Sequence, residues 1–186
     1  EVQPLLELIA AEATRLLDSD RASIFVHDPE RNELVACPAL GVEGGTLRLP
    51  DNVGIVGDVV QTGKPVHVDD AYNDSRFNPA VDKESGYRTR NLLCVPLRDT
   101  QDTVIGAFEL INRNEGDFDD DDLEGLEHLA RQAAVALTNT RQHEQLLRSR
   151  EQLAEQVTRG VQIIGQSPSI VALRDTIERL AGTDLP

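Results

Sequence analysis

The chain has 186 residues, a mass of 20.4 kDa and a formal net charge of −15 from 33 acidic and 18 basic residues. That size suits one domain with an extension, and that charge excludes broad binding to a phosphate backbone. Hydrophobic residues make up 39% and aromatics only 3%, so Leu, Ile, Val and Ala must build the core; two cysteines are too few for a disulfide scaffold or zinc module and fit a reducing, cytoplasmic compartment.

In chain order, PLLELIAAEATRLLD carries apolar residues at 5, 8, 9, 13, 16 and 17, which is helical spacing, with Pro4 in the first turn. This opening is acidic and amphipathic, unlike a signal peptide. ASIFVHD alternates, with Ile24 and Val26 on one face and Ser23, Phe25 and His27 on the other. A PERN turn and ELVACPAL complete a hairpin whose second strand is irregular at Pro38, which cannot donate to a ladder. TLRLP is a short strand. NVGIVGDVVQTGKP reads as a helix from about Gly54, capped by Asn52 and stopped at Gly63. VHVDD is a short strand, and residues 71–86 form a polar loop with at most short helices. NLLCVPLRD and TVIGAFELINR are strands joined by a DTQD turn. The chain then holds no Pro from about Asp119 to Thr158, which predicts one helix of roughly 60 Å. The order gives an α+β fold, with a mostly antiparallel sheet, helices packed on one face and a cavity under the polar loop.

Charge divides the chain. Residues 1–140 hold 27 acidic and 12 basic side chains, whereas residues 141–186 hold six of each, which places a boundary near 140. In the long helix, Leu123, Leu126, Ala130, Ala133 and Leu137 form a heptad-like stripe. Beyond 140, Leu146, Leu147, Leu153 and Val157 keep an apolar side, which predicts pairing with the same helix of a second chain. The run Asp119–Asp122 is explained by the dipole at a helix start and lacks the interleaved ligands and Gly of a calcium loop.

No catalytic set emerges. His27, His67, His128 and His143 show no ligand spacing, Cys37 and Cys94 form no CxxC, and no phosphate-loop, GxSxG or HExxH pattern occurs. Cys94 sits in an apolar strand, and Cys37, beside Pro38 at a strand edge, is the candidate for a redox role. The GIVG helix start is the most suggestive feature. Gly54 and Gly57 admit either close ligand approach or close helix–sheet packing, and free N–H groups there suit an anion.

The stretch AYNDSRFNPAVDKESGYRTRNLLCVPLRD, with VIGAFELINR and FDDDD, resembles the GAF domains of cyclic-nucleotide phosphodiesterases and cyclases over about residues 1–145. Those domains share an N-K-x(n)-F-x(3)-D-E motif. Asn112, Arg113, Phe118 and Asp122 match it, with Arg for Lys and Leu123 at the final Glu position. The resemblance implies that Arg113 and Asp122 pair to brace a pocket. It implies a cyclic nucleotide, cGMP or cAMP, as ligand. Ser23 would meet the base, the N–H groups of Ile55 and Val56 the cyclic phosphate, and Asp82, Ser85 and Thr89 would close over it. Glu109 would face it from the sheet. The stacking aromatic of the family falls at Ala39 and its purine-reading Asp at Leu40.

The stretch IIGQSPSIVALRDTIERLAGTDLP resembles the opening of the AAA+ domain in sigma-54-dependent transcription activators of the NifA and formate-hydrogenlyase-activator types, through Gly165, Ser167, Pro168, Leu173, Ile177, Thr183, Asp184 and Pro186. The expected organisation is a GAF sensor at 1–140, a helical linker at 141–160 and the start of a truncated ATPase domain at 161–186. The missing initiator Met and the end at Pro186, before any Walker A loop, read as a segment of a longer protein that is not itself an enzyme. The expected partners are a small effector, a second chain through the long helix and, for the parent, sigma-54 RNA polymerase and DNA, with no membrane. Rival readings are a different metabolite, a pure dimerisation or docking module, and a methionine sulfoxide reductase using both cysteines.

Overall fold

The structure is a computed structural model that describes residues 2–39 and 47–160, together with residues 167 and 172. The chain divides into two compact units, Glu1–Arg141 and Gln142–Pro186. Within the second unit the described structure is the distal part of one helix. The ATPase-like positions other than Ser167, and Leu40 in the first unit, lie outside the described residues.

The first unit opens with α1 (Gln3–Leu16), which buries Leu6, Ile9, Ala10 and Ala13 on one stripe. Among the described residues six strands follow: β1 (Ser19–Asp28), β2 (Glu33–Ala39), β3 (Arg48–Pro50), β4 (Val66–Val68), β5 (Leu92–Arg98) and β6 (Val104–Arg113). They form one sheet in the order β3-β2-β1-β6-β5-β4, and every pair is antiparallel. The described helices between or after them are α2 (Gly54–Thr62), α3 (Ala80–Ser85) and α4 (Asp120–Gly160). A 3-10 turn at Ala71–Asn73 is capped by the Asp70 carboxylate.

The irregularity expected at Pro38 is a bulge. Ser23 pairs with Ala39 and Phe25 with Ala36, so β2 carries one extra residue around Cys37 and Pro38. The helix start at α2 differs from expectation. Val53, in extended conformation, occupies the N-cap without any side-chain hydrogen bond, so Asn52 does not cap the helix.

The layering also differs in one respect. The expected one-faced packing describes α1 and α4, whose Leu6, Ile9, Leu126 and Ala133 pack on Ile24, Leu93, Val95 and Phe108. Helix α2 covers the opposite face, with Val56, Val59 and Val60 against Phe25, Cys94 and Ala107. The reason is the interior strand β5. Its continuous apolar run is buried on both sides, which requires cover on both.

At the start of α4, Asp119 and Asp122 exchange hydrogen bonds, each carboxylate accepting from the other's backbone N–H at 2.9 Å. This satisfies donors that a helix N-terminus otherwise leaves free. Asp122 also forms an ion pair with Arg113.

Candidate functional site

A cavity of about 120 Å³ lies on the α2 face of the sheet. Strand alternation sends Arg21, Ser23 and Phe25 of β1 toward it, while Ala22 and Ile24 point to the α1 face. Register sets Ser23 directly opposite Glu109 of β6, and Glu109 opposite Cys94 of β5. The opposite wall comes from the first turn of α2, at Gly54, Ile55 and Val56. Phe77, Asp82, Ser85, Tyr87 and Thr89 close the side formed by α3 and its flanking loops.

The two glycines of the α2 start have separate roles. Gly54 lines the cavity with φ of +77°, a conformation that glycine adopts without a Cβ penalty. A Cβ at Gly57 would lie 2.9 Å from the Asn52 carbonyl carbon, so Gly57 permits packing of the helix on the 51–52 turn. The first N–H groups of α2 are left without a side-chain cap, and Ile55 and Val56 carry them at the cavity wall.

Glu109 is the chemically distinctive group. Its carboxyl is pushed up to about 7, first by burial and then by the nearby Asp82 charge. Among the described residues it makes no hydrogen bond and no ion pair. Ser23 Oγ, its cross-strand neighbour, is likewise without a hydrogen bond among the described residues.

Asp82 is differently placed. Its Oδ2 accepts from the Thr89 backbone N–H at 2.7 Å and from the Tyr72 hydroxyl at 3.0 Å. Its Oδ1 accepts from Thr89 Oγ1 at 2.9 Å. Asp82 therefore joins α3 to the residues before β5, as a buried carboxylate supplied with three donors. Ser85, at the exposed rim, donates its hydroxyl to the Val81 carbonyl at 2.8 Å.

Ser23, Ile55, Val56, Asp82, Ser85, Thr89 and Glu109 thus line one cavity. Ala39 pairs with Ser23 at the end of β2, but its side chain, like all of Leu40, lies outside the described residues. Sequence reasoning missed Arg21, Phe25, Phe77 and Tyr87 as lining residues. Alternation on β1 carried the signal for Arg21 and Phe25, since both share the parity of Ser23.

The motif residues brace this site from outside. Asn112, at φ of +59°, hydrogen-bonds the segment from Tyr87 to Arg90. Arg113, next in the chain, pairs with Asp122 of α4. Phe118 packs edge-on to His67, with ring centroids 6.5 Å apart.

The remaining candidates disperse. Cys37 packs with the α1–α4 core, and Cys94 is buried among the α2-face core residues, so the two thiols lie on opposite faces of the sheet. Burial raises both thiols, reinforced by Glu7 at Cys37 and by Glu109 and Asp58 at Cys94. That geometry removes the two-cysteine reductase reading. His27 meets Asp51 at 3.0 Å and His67 meets Asp69 at 2.9 Å, each a separate pair. No helix among the described residues is long and apolar enough to cross a membrane.

Residues 1–137 match the GAF domain family. The chain is 36% identical over 133 residues to the dual 3',5'-cyclic-AMP and -GMP phosphodiesterase 11 of Drosophila melanogaster, covering 63% of this chain and 9% of that protein. It is 30% identical over 151 residues to the probable 3',5'-cyclic phosphodiesterase pde-5 of Caenorhabditis elegans, covering 75% of this chain and 21% of that protein. The chain therefore spans a small part of the curated relatives it matches. In fold it is similar to the GAF domain of a phosphoenolpyruvate-protein phosphotransferase from Coxiella burnetii, with a TM-score of 0.70 at 20% identity over 77% of this chain and 86% of that one.

Proposed function

Because the chain belongs to the GAF domain family, we propose that its cavity binds a cyclic nucleotide, cGMP or cAMP, and relays occupancy through α4. One observation carries this reading. An uncapped helix N-terminus, suited to an anion, faces a sheet wall bearing Glu109 and Ser23, both unpaired among the described residues. The first suits a cyclic phosphate, and the second suits the N–H and acceptor edge of a base. The names of the two curated relatives, both cyclic-nucleotide phosphodiesterases, support the same ligand class.

The relay rests on α4, which begins at the Arg113–Asp122 pair beside the site and runs to Gly160. Leu146 and Leu147 are 65% and 45% exposed, an apolar side suited to a second copy of the helix. The parent protein is, in this reading, a cytoplasmic sigma-54-dependent activator. In the same reading the GAF unit acts as the sensor that controls the parent's ATPase activity. The resemblance of residues 163–186 to the opening of such ATPase domains supports it. A ligand that binds one state better by about 1–3 kcal/mol would bias that ATPase.

A second reading has a specific observation in its favour. Residue 39 is Ala and residue 40 is Leu, so neither supplies an aromatic stack or a purine-reading acid. A smaller effector with N–H donors would then use Glu109 alone.

Thermal unfolding with increasing cGMP or cAMP, followed by calorimetry, tests the proposal. Ligand at 100 times its dissociation constant should add about 2.7 kcal/mol, a shift of several degrees. Folded, ligand-free protein that shifts with neither nucleotide overturns it.

A further inference from the structure

The cavity contains a charge that no acid among the described residues satisfies. Arg21 lines it from β1, one same-face position along from Ser23. Six arginines of the first unit, Arg15, Arg31, Arg48, Arg76, Arg98 and Arg113, sit in ion pairs with carboxylates. Arg21 forms no ion pair with an acid among the described residues. Its guanidinium carbon lies 3.7 Å from the centre of the Tyr87 ring instead.

Glu109 makes this arrangement specific. Arg21 pairs with Ile111 and Ser23 with Glu109, so Arg21 and Glu109 are diagonal neighbours on one face, with backbones about 7–8 Å apart. A long arginine can span that distance. The two nevertheless stay apart, one stacked and one unpaired. Tyr87 is itself fixed, its hydroxyl donating to Asp20 and accepting from Asn112 Nδ2. Stacking engages only the flat face of a guanidinium. Its N–H donors lie in the plane and remain free.

We propose that Arg21 is the anion-binding residue of this cavity, and that the ligand spans from an anionic group on Arg21 to a hydrogen-bond donor on Glu109. For the ligand class this rests on the cyclic-nucleotide reading. A cyclic phosphate has two non-bridging oxygens, and the α2 amides suit one of them. Among the described lining residues Arg21 is the only cation, and it suits the other. The fork geometry of Arg matches such an oxyanion, and enclosure strengthens the pairing.

The test compares wild type, Arg21→Gln and Arg21→Lys by calorimetry with cGMP and cAMP at several salt concentrations. The Arg21 Nε–H resonance is followed by NMR, and urea unfolding establishes that each variant is folded. Where a cyclic nucleotide binds wild type, Arg21→Gln should weaken it at least about tenfold and flatten its salt dependence, with Arg21→Lys intermediate. The Nε–H resonance should shift saturably. An affinity within twofold of wild type, or an unchanged salt slope, overturns the proposal. Where neither nucleotide binds wild type, the nucleotide reading fails separately. Inorganic phosphate is then the probe: a saturable Nε–H shift upholds the anion site, and no shift overturns it. Should Arg21→Gln fail to fold, the wild-type resonance and Arg21→Lys decide by the same criteria.

Discussion

The side-chain amide of Asn112 donates to the Tyr87 hydroxyl at 2.7 Å, joining the end of β6 to the cavity wall. The same Nδ2 donates to the Arg88 carbonyl at 2.9 Å, and Oδ1 accepts from the Arg90 N–H at 2.6 Å. Both flank Thr89, whose position fixes Asp82. Local backbone conformation and pocket shape therefore meet in one residue.

Asn112→Ala should destabilise the domain by about 2–4 kcal/mol, because it removes these bonds and places a Cβ without its amide at positive φ. Asn112→Gly loses the same bonds but relieves the conformation, so it should recover about 1 kcal/mol. Urea denaturation of both variants checks this. Equal losses would show that the positive φ carries no cost.

Glu109 predicts a pH dependence of defined sign. Its folded value, about 7, lies above that of an unfolded Glu, so the folded state holds the proton more tightly. Its contribution is fully present below the unfolded value of about 4.3 and is lost as pH rises through the folded one. Over that window wild type should lose about 1–3 kcal/mol that Glu109→Gln keeps. The difference between their denaturation midpoints from pH 4.5 to 8 measures it. Parallel curves would place Glu109 in a water-like setting.

The cysteines should behave independently. With Cys37 and Cys94 on opposite sheet faces, mild oxidation of the native protein should yield no internal disulfide, as read by mass spectrometry after alkylation. A thiol reagent should label the half-buried Cys37 slowly and Cys94 only after denaturation. Rapid labelling of Cys94 would mean that α2 opens readily from its sheet face.

The proposed pairing of α4 is tested by charge. Leu146→Glu with Leu147→Glu should shift sedimentation from dimer to monomer and leave the unfolding temperature of the sensor unit unchanged within about one degree, since both side chains are exposed. A dimer that survives both substitutions removes this stripe from the interface.

Much of this organisation was legible in the sequence for identifiable reasons. The period-2 alternation of β1 gave the faces of Ser23 and Ile24 correctly, because a pleated strand allows no other outcome. The acidic run before α4 was readable as a helix start. The partner chosen by Asp122 came only with the family motif. Which sheet face each helix covers was not legible from element order. The uninterrupted apolar run of β5 held that information, since a strand buried on both faces needs two layers. Asn52 was expected to cap α2 by residue preference, but Val53 takes that place and Gly57 packs the helix against the preceding turn. Arg21 was not legible in the sequence, because its meaning lies in lacking an acidic partner among the described residues. Such an absence exists only once distant residues such as Tyr87 have been brought beside it.

Asn112 and Arg113 hold different structures, the cavity wall on one side and the first turn of α4 on the other. Consecutive residues share one planar peptide, which resists twisting and leaves only the flanking torsions soft. The wall and the helix thus take their contacts from the two ends of one planar unit. In the proposed relay, this shared peptide is where a change at the cavity wall would meet the Arg113–Asp122 ion pair.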